Sequence, residues 1–504
     1  MKQFCTILLT ILSLASGKAQ IVYSDYSDPD ICQGTQGDYW LTASSFQCTP
    51  GLPILHSTDL THWTLANYAV HSLHPLNHYN TIQHGNGIWA PSIRFHNNTY
   101  YIYWGDPDFG VFMVKTTNPE GKWDEPVLVC EGKGIIDTCP LWDDDGRCYL
   151  VNGWAKSRCG FNSILTIREL NCEGTKAITP PTLIYDGLKN GDHTIEGPKL
   201  YKKDGWYYIL APAGSVATGW QVALRSKSIY GPYERKTVFN KDGIHQGGMV
   251  AVKSSREQDS DYAFICFQEV GAYGRILHLL DIDWKDGWPM MKLSKENYAH
   301  TENSKSPITY TTQGSPYQWH SNYQDHYGFV SPTGTRVYSH KVSENFRNMW
   351  EVPNLYLRKF DGRTFSDTLH LTITSPSPAT QSGFIIMGRD YCRLSVQYQA
   401  DQFILSQIVC KNADNGAAEQ VDSIAQLPVS ITKNGASSLM TTHLHIIINC
   451  KENGLCDLYY STDNHHFTPL SPFQAREGRW IGAKYGIYSI TSSDSPKGWI
   501  DMAD

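Results

Sequence analysis

Five times in the first three hundred residues a polar turn leads into a tyrosine-bearing apolar segment. The copies read Gly37-Asp38-Tyr39-Trp40, Asn98-Thr99-Tyr100-Tyr101, Asp145-Gly146-Arg147-Cys148-Tyr149, Asp204-Gly205-Trp206-Tyr207-Tyr208 and Ser260-Asp261-Tyr262. With Tyr39, Tyr100, Tyr149, Tyr207 and Tyr262 as markers, the gaps are 61, 49, 58 and 55 residues. That is roughly one four-stranded blade each, somewhat more than the ~40–50 residues of common propeller repeats. A second signal, a polar turn followed by an aromatic, trails most markers: Ser57-Thr58-Asp59-Leu60-Thr61-His62-Trp63, Thr117-Asn118-Pro119-Glu120-Gly121-Lys122-Trp123, Ser228-Ile229-Tyr230-Gly231-Pro232-Tyr233 and Asp283-Trp284-Lys285-Asp286-Gly287-Trp288. The third copy, Asn171-Cys172-Glu173-Gly174, lacks the aromatic. Two signals on one period imply a repeated supersecondary unit, and five such blades closed in a ring leave only short edges. A β-sandwich of hairpins is the alternative arrangement.

The period stops after Lys295. Residues 303–316 are polar and poor in aliphatics, as linkers are. Alternating segments follow, among them Leu369-His370-Leu371-Thr372-Ile373, Gly383-Phe384-Ile385-Ile386-Met387-Gly388 and Leu444-His445-Ile446-Ile447-Ile448, and these read as a β-sandwich. The expected organisation is all-β: a signal peptide at 1–19, a five-bladed β-propeller at 20–302, a linker at 303–316 and a sandwich at 317–504. Aromatics at 12% against 18% charged residues fit an all-β chain.

Net charge is −7 with no basic cluster, which excludes nucleic acid as a partner, since a phosphate backbone needs gathered Lys and Arg. The 30 tyrosines and 15 tryptophans suit a carbohydrate instead, whose rings have apolar faces that stack on aromatics. Lys2 precedes the apolar run Phe4–Ala15, with small residues at Gly17 and Ala19, the pattern of a secretory signal cleaved near Ala19. That run is too short to span a bilayer, and no later segment reads as membrane-inserting. The expected location is secreted or periplasmic. Twelve of the 13 cysteines lie beyond the signal, where oxidation permits disulfides. Cys450 with Cys456 and Cys139 with Cys148 are the best local pairs across hairpin turns, and free core cysteines are the alternative. No CxxC pair or HExxH motif points to zinc.

Counting back from each marker locates the start of the blade's innermost strand. Eleven residues before Tyr39 is Asp28, eleven before Tyr100 is Trp89, twelve before Tyr149 is Asp137 and eleven before Tyr207 is Glu196. The fifth blade is looser, with His245 seventeen residues before Tyr262. Equivalent positions ring one end of the central channel, so three carboxylates would share a pocket. Each is locally odd: Asp28 precedes Pro29, Glu196 precedes Gly197-Pro198, and Asp137 interrupts an apolar run. Acidic turn residues at strand ends are the bland reading of any one of them. Together beside Trp89 they suit glycoside hydrolysis, where one acid protonates the leaving oxygen and another activates water or attacks the sugar. Chelation of a hard cation by the same trio is the competing chemistry.

The ordered set Ser27-Asp28-Pro29-Asp30-Ile31, Ile88-Trp89-Ala90-Pro91, Ile136-Asp137, Glu196-Gly197-Pro198-Lys199-Leu200-Tyr201 and Ser226–Tyr233 resembles family 43 of the glycoside hydrolases. Gly383–Gly388 with Ala475–Lys484 looks like the jelly-roll, concanavalin-like sandwich that follows the propeller in two-domain members. The resemblance implies an inverting mechanism with Asp28 as general base, Glu196 as general acid and Asp137 orienting the acid and tuning its pKa. It also implies that Phe46 and Trp89 wall the pocket and that Arg275 contacts the terminal sugar. His245 matches a histidine beneath the site that holds a water or an ion, although His245-Gln246 stands where a His-Gly pair is expected. No cofactor is implied beyond a possible structural calcium or channel ion.

The expected function is exo-acting release of terminal pentoses from plant cell-wall polysaccharides or oligosaccharides. Tyr103-Trp104-Gly105-Asp106-Pro107-Asp108-Phe109-Gly110 leans it toward α-L-arabinofuranosidase, with β-D-xylosidase as the alternative. A non-catalytic glycan-binding propeller and a calcium-dependent adhesion protein are the readings from other classes.

Overall fold

The computed structural model describes residues 20–252, 261–294, 308–375, 377–434, 437–494 and 498–503, so the expected signal peptide and residues 303–307 of the expected linker lie outside the described residues. Five antiparallel sheets form blades I to V. Their innermost strands are Asp30–Gln33, Trp89–His96, Ile135–Trp142, Lys199–Lys203 and His245–Ala251. The tyrosine markers all fall at the start of second strands, in Tyr39–Thr42, Thr99–Asp106, Cys148–Trp154, Trp206–Ala213 and Tyr262–Glu269. Asp204 and Gly205 turn the blade IV hairpin with φ of 51° and 71°, the paired left-handed conformation that a two-residue turn between twisted strands requires.

The second repeated signal also has a physical basis. The Trp63 indole donates to Leu60 O at 3.2 Å, Trp123 to Pro119 O at 3.1 Å, and the Tyr233 hydroxyl to Ile229 O at 2.7 Å. Each aromatic stands at or just before the outer strand and satisfies the carbonyl of the turn before it, with the Trp63 and Trp123 rings buried and that of Tyr233 half-buried. In blade III, where the aromatic is missing, the Asn171 side-chain oxygen accepts from the N–H groups of Thr175 and Lys176 and holds the turn itself.

The ring closes through Gln20–Val22, which pairs with Arg275–Lys285 of blade V. Residues 308–310, expected within the linker, form a strand parallel to Trp63–Leu65 and cover the outer edge of blade I. The chain then builds two facing sheets. One contains Tyr356–Lys359, Lys484–Thr491, Thr380–Met387, Tyr391–Gln399 and Gln402–Cys410; the other contains Gly334–Tyr338, Trp499–Ala503, Phe365–Thr374, Ser437–Cys450 and Leu455–Ser461. Their shared apolar core takes in Phe384, Leu394, Leu444, Leu458 and Ile487, and it extends to Tyr273 and Ile276 of blade V. The sandwich is therefore packed directly on the propeller. Thr49 and Trp319 exchange main-chain hydrogen bonds across that junction at 3.1 and 2.7 Å.

All cysteines among the described residues are free. Register overturns the expected Cys139–Cys148 pairing: Cys139 stands opposite Val151 and Cys148 opposite Trp142. Cys139 Sγ instead accepts from Arg94 at 2.8 Å and Leu200 N–H at 3.3 Å. Cys450 does stand directly opposite Cys456.

Candidate active site

Every innermost strand is entered through one residue with left-handed backbone: Asp28 at φ 53°, Ala90 at 31°, Asp137 at 57°, Gly197 at 53° and Gln246 at 53°. A non-glycine residue there costs roughly 1–2 kcal/mol, and five such kinks in a ring are held by the surrounding blades. Pairing slips at the same places, between Trp89 and Ser92, Ile136 and Cys139, and His245 and Gly247. Such bulges re-aim side chains, and these turn the strand ends into the mouth of the channel. There a cavity of about 210 Å³ is lined by Asp28, Asp137, Glu196, Trp89, Phe46 and Arg275.

The carboxylates have distinct surroundings. Asp28 is buried and accepts from Ser44 Oγ at 2.6 Å and from the Arg275 guanidinium at 2.9 and 3.0 Å. All of these partners are donors, so they bind its carboxylate form and compensate its charge in a buried place. Asp137 is buried and accepts from the Gly197 N–H at 2.7 Å. Glu196 follows the buried Ile195 and lines the cavity. Burial, then the charges of Asp137 and Asp28, push its carboxyl up to about 8, against a lowering influence from Arg275. Asp137 is pushed up as well, first by burial and then by Asp28. A carboxyl that keeps its proton near neutrality thus shares the cavity with one gripped by a guanidinium and a hydroxyl donor, two surroundings that suit different tasks in acid–base chemistry.

Phe46 and Trp89 form the wall with Ile481 of the sandwich, and the Trp89 indole donates to Gly85 O at 2.8 Å. His245 lies outside the lining, where Gln246 takes its place. The His245 ring is buried, with Nε2 3.2 Å from Ser215 O and Nδ1 meeting no protein partner. Burial lowers its pKa to about 4, so it is neutral near pH 7. Among the described residues no three His, Cys, Asp or Glu side chains converge as metal ligands.

Sequence reasoning missed the rest of the rim. Trp154, Lys156, Ser157 and Asn162 reach it from blade III, and Trp480 reaches it from the sandwich. Trp480 has φ 66°, is 45% exposed, and sits 5.7 Å from the Arg275 guanidinium. It lay in a stretch read as sandwich, and only packing shows that its loop overhangs the propeller. The 103–110 run does not line the cavity. Tyr103 and Trp104 are buried in the blade, and Asp106 is held by Tyr79. It reaches the pocket indirectly, through Gly105, which stands opposite Trp89, and through Asp108, which accepts from Arg158 at 3.0 Å, whose guanidinium lies 5.7 Å from the Trp89 ring.

Comparison with known proteins places this geometry in context. The family model described as Glycosyl hydrolases family 43 matches residues 19–289, and that described as Beta xylosidase C-terminal Concanavalin A-like domain matches 311–503. The "Beta-xylosidase" of Formosa agariphila is 25% identical over 552 residues, covering 96% of this chain and 88% of its own. The "Non-reducing end alpha-L-arabinofuranosidase BoGH43B" of Bacteroides ovatus is 32% identical over 325 residues, covering 57% of this chain and 58% of its own. Among solved structures, the GH43 BlXynB protein from Bacillus licheniformis superposes with a TM-score of 0.74 at 20% identity, over 96% of this chain and 98% of that one. A likeness at that identity speaks for the fold alone.

Proposed function

Because the chain belongs to family 43 of the glycosyl hydrolases, we propose that it removes single terminal pentoses by inversion, with Glu196 as general acid, Asp28 as general base and Asp137 positioning the acid. The observation that carries this reading is the contrast between Glu196, whose pKa is raised to about 8, and Asp28, clamped by Arg275 and Ser44 in the same cavity. In the reaction Asp28 takes a proton from a water as its oxygen bonds to the anomeric carbon. Glu196 gives its proton to the departing glycosidic oxygen as that C–O bond breaks. Water attacks from the face opposite the leaving group, which requires a carboxyl separation of ~6.5–9.5 Å. Asp137 fixes the peptide that follows Glu196 and, by its charge, helps Glu196 keep its proton. The small cavity under Trp480 favours a chain end over a chain interior.

The first reading of the sugar is β-linked D-xylose. The relative that aligns over 96% of the chain is named beta-xylosidase, and the run that leaned toward arabinose makes no pocket wall. α-L-Arabinofuranose is the second reading, favoured by the higher identity, 32%, of the arabinofuranosidase-named relative over its shorter alignment. Paired assays on nitrophenyl β-D-xylopyranoside and α-L-arabinofuranoside decide between them. NMR of the first-formed anomer tests the mechanism, and net retention would refute inversion. The N-terminal apolar run supports export, which the N-terminal sequence of the mature protein checks.

A further inference from the structure

Asp25 is 5% exposed and lies outside the cavity lining, yet its carboxylate holds three donors from three parts of the chain. Oδ1 accepts from Ser27 Oγ at 2.9 Å and from the main-chain N–H of Arg275 at 3.0 Å. Oδ2 accepts from the main-chain N–H of Gly482 at 2.9 Å. Ser27 adjoins Asp28, Arg275 is the cation on Asp28, and Gly482 lies two residues beyond Trp480. The main-chain oxygen of Asp25 accepts from the half-buried Lys359 ammonium, and Tyr26 N–H donates to Arg275 O at 3.0 Å. Ala483 N–H donates to Ala272 O at 2.7 Å, which brings the two backbones together beside the carboxylate.

The close approach depends on two glycines. A Cβ on Gly274 would lie 2.6 Å from the Asp25 carboxyl and 2.7 Å from Gly482 N, and one on Gly482 would lie 2.8 Å from Tyr273 C. Neither contact is tolerated, so the sandwich loop, the blade V turn and Asp25 interlock only as built.

We propose that Asp25 is a positioning residue that latches the Trp480 loop of the sandwich to the Arg275–Asp28 pair of the propeller. The sandwich thereby sets the orientation of the group assigned as base, and the rim and the reacting centre move as one unit. This rests on the assignment of Asp28 above. Charge-assisted bonds from one buried carboxylate to two peptide N–H groups are strong and directional. An amide cannot replace it, because its NH2 end would face a donor on one side or the other.

The test is Asp25→Asn in the full-length protein, read by hydrogen exchange and by kinetics on nitrophenyl pentosides and pentose oligosaccharides. Exchange of the Gly482 or Arg275 amide should speed up by about tenfold or more, since the acceptor of one is lost. kcat should fall about 10–100-fold, the cost of a small misplacement of reacting groups, and KM should rise more for the oligosaccharide than for the aryl glycoside. Gly482→Ala, which pries the loop off from the sandwich side, should reproduce the kinetic signature and serves if Asp25→Asn does not fold. Unchanged exchange at both amides, or wild-type kcat and KM in either folded variant, overturns the proposal. If no glycoside is cleaved by the wild type, the hydrolase reading fails while the exchange data still judge the latch.

Discussion

Asp137 Oδ2 accepts a 2.7 Å hydrogen bond from the main-chain N–H of Gly197, the residue that follows Glu196. The two carboxyls are thus joined through one peptide, and the charge on Asp137 is the largest influence after burial in raising Glu196. Asp137→Asn retains an acceptor for Gly197 and deletes the charge. Glu196 should then lose its proton at lower pH, so the alkaline limb of the rate profile moves toward acid and kcat at pH 7 falls by about tenfold or more. An unmoved alkaline limb would separate Asp137 from the tuning of Glu196.

Glu196→Gln should lower kcat/KM by about 10²–10⁴-fold, the usual worth of a general acid. Its effect on stability has the opposite sign. The folded-state pKa of Glu196 lies above the ordinary carboxyl value. The stability it contributes is therefore complete below about 4.5 and is lost as pH rises toward about 8. The variant escapes that loss, so its Tm should exceed that of the wild type by a few degrees at pH 8.5 and by less at pH 5, as measured by thermal melts.

Arg275→Met leaves Asp28 as a buried carboxylate whose cation is gone. Breaking a buried pair from one side typically costs about 3–5 kcal/mol, so denaturant titration should show a large drop in stability together with lost turnover. A variant as stable as wild type would mean that Asp28 is compensated from elsewhere.

Trp480→Ala removes an exposed aromatic from the rim without touching a carboxylate. KM for oligosaccharides should rise about tenfold while kcat on a nitrophenyl pentoside changes little, the signature of lost uniform binding. Equal loss in kcat would place Trp480 nearer the reacting centre than its position on the rim suggests.

Cys450 and Cys456 face each other across one strand pair, both buried. Protein recovered from an oxidising compartment should carry a disulfide between them, seen as a cross-linked peptide after digestion without reductant. Cys139 and Cys148 should both remain alkylatable after unfolding, because register separates them.

The repeat period was legible because a blade is a local object: its turns, its tyrosine strands and the aromatic that returns to its own turn lie within one period of chain. The phase of that period singled out Asp28, Trp89, Asp137 and Glu196, since each stands at or beside the kink that opens an inner strand. It failed in blade V, where the longer interval before Tyr262 hid the matching position and Gln246 took the place expected of His245. The sequence by itself thus determined the blades and the company Glu196 keeps. Tertiary structure alone decided the surroundings of each carboxylate. The raised proton affinity of Glu196 comes from burial and from Asp137 and Asp28 on other blades, while Arg275 meets Asp28 from blade V and Trp480 and Gly482 reach over from the sandwich. No local pattern encodes contacts between residues hundreds of positions apart.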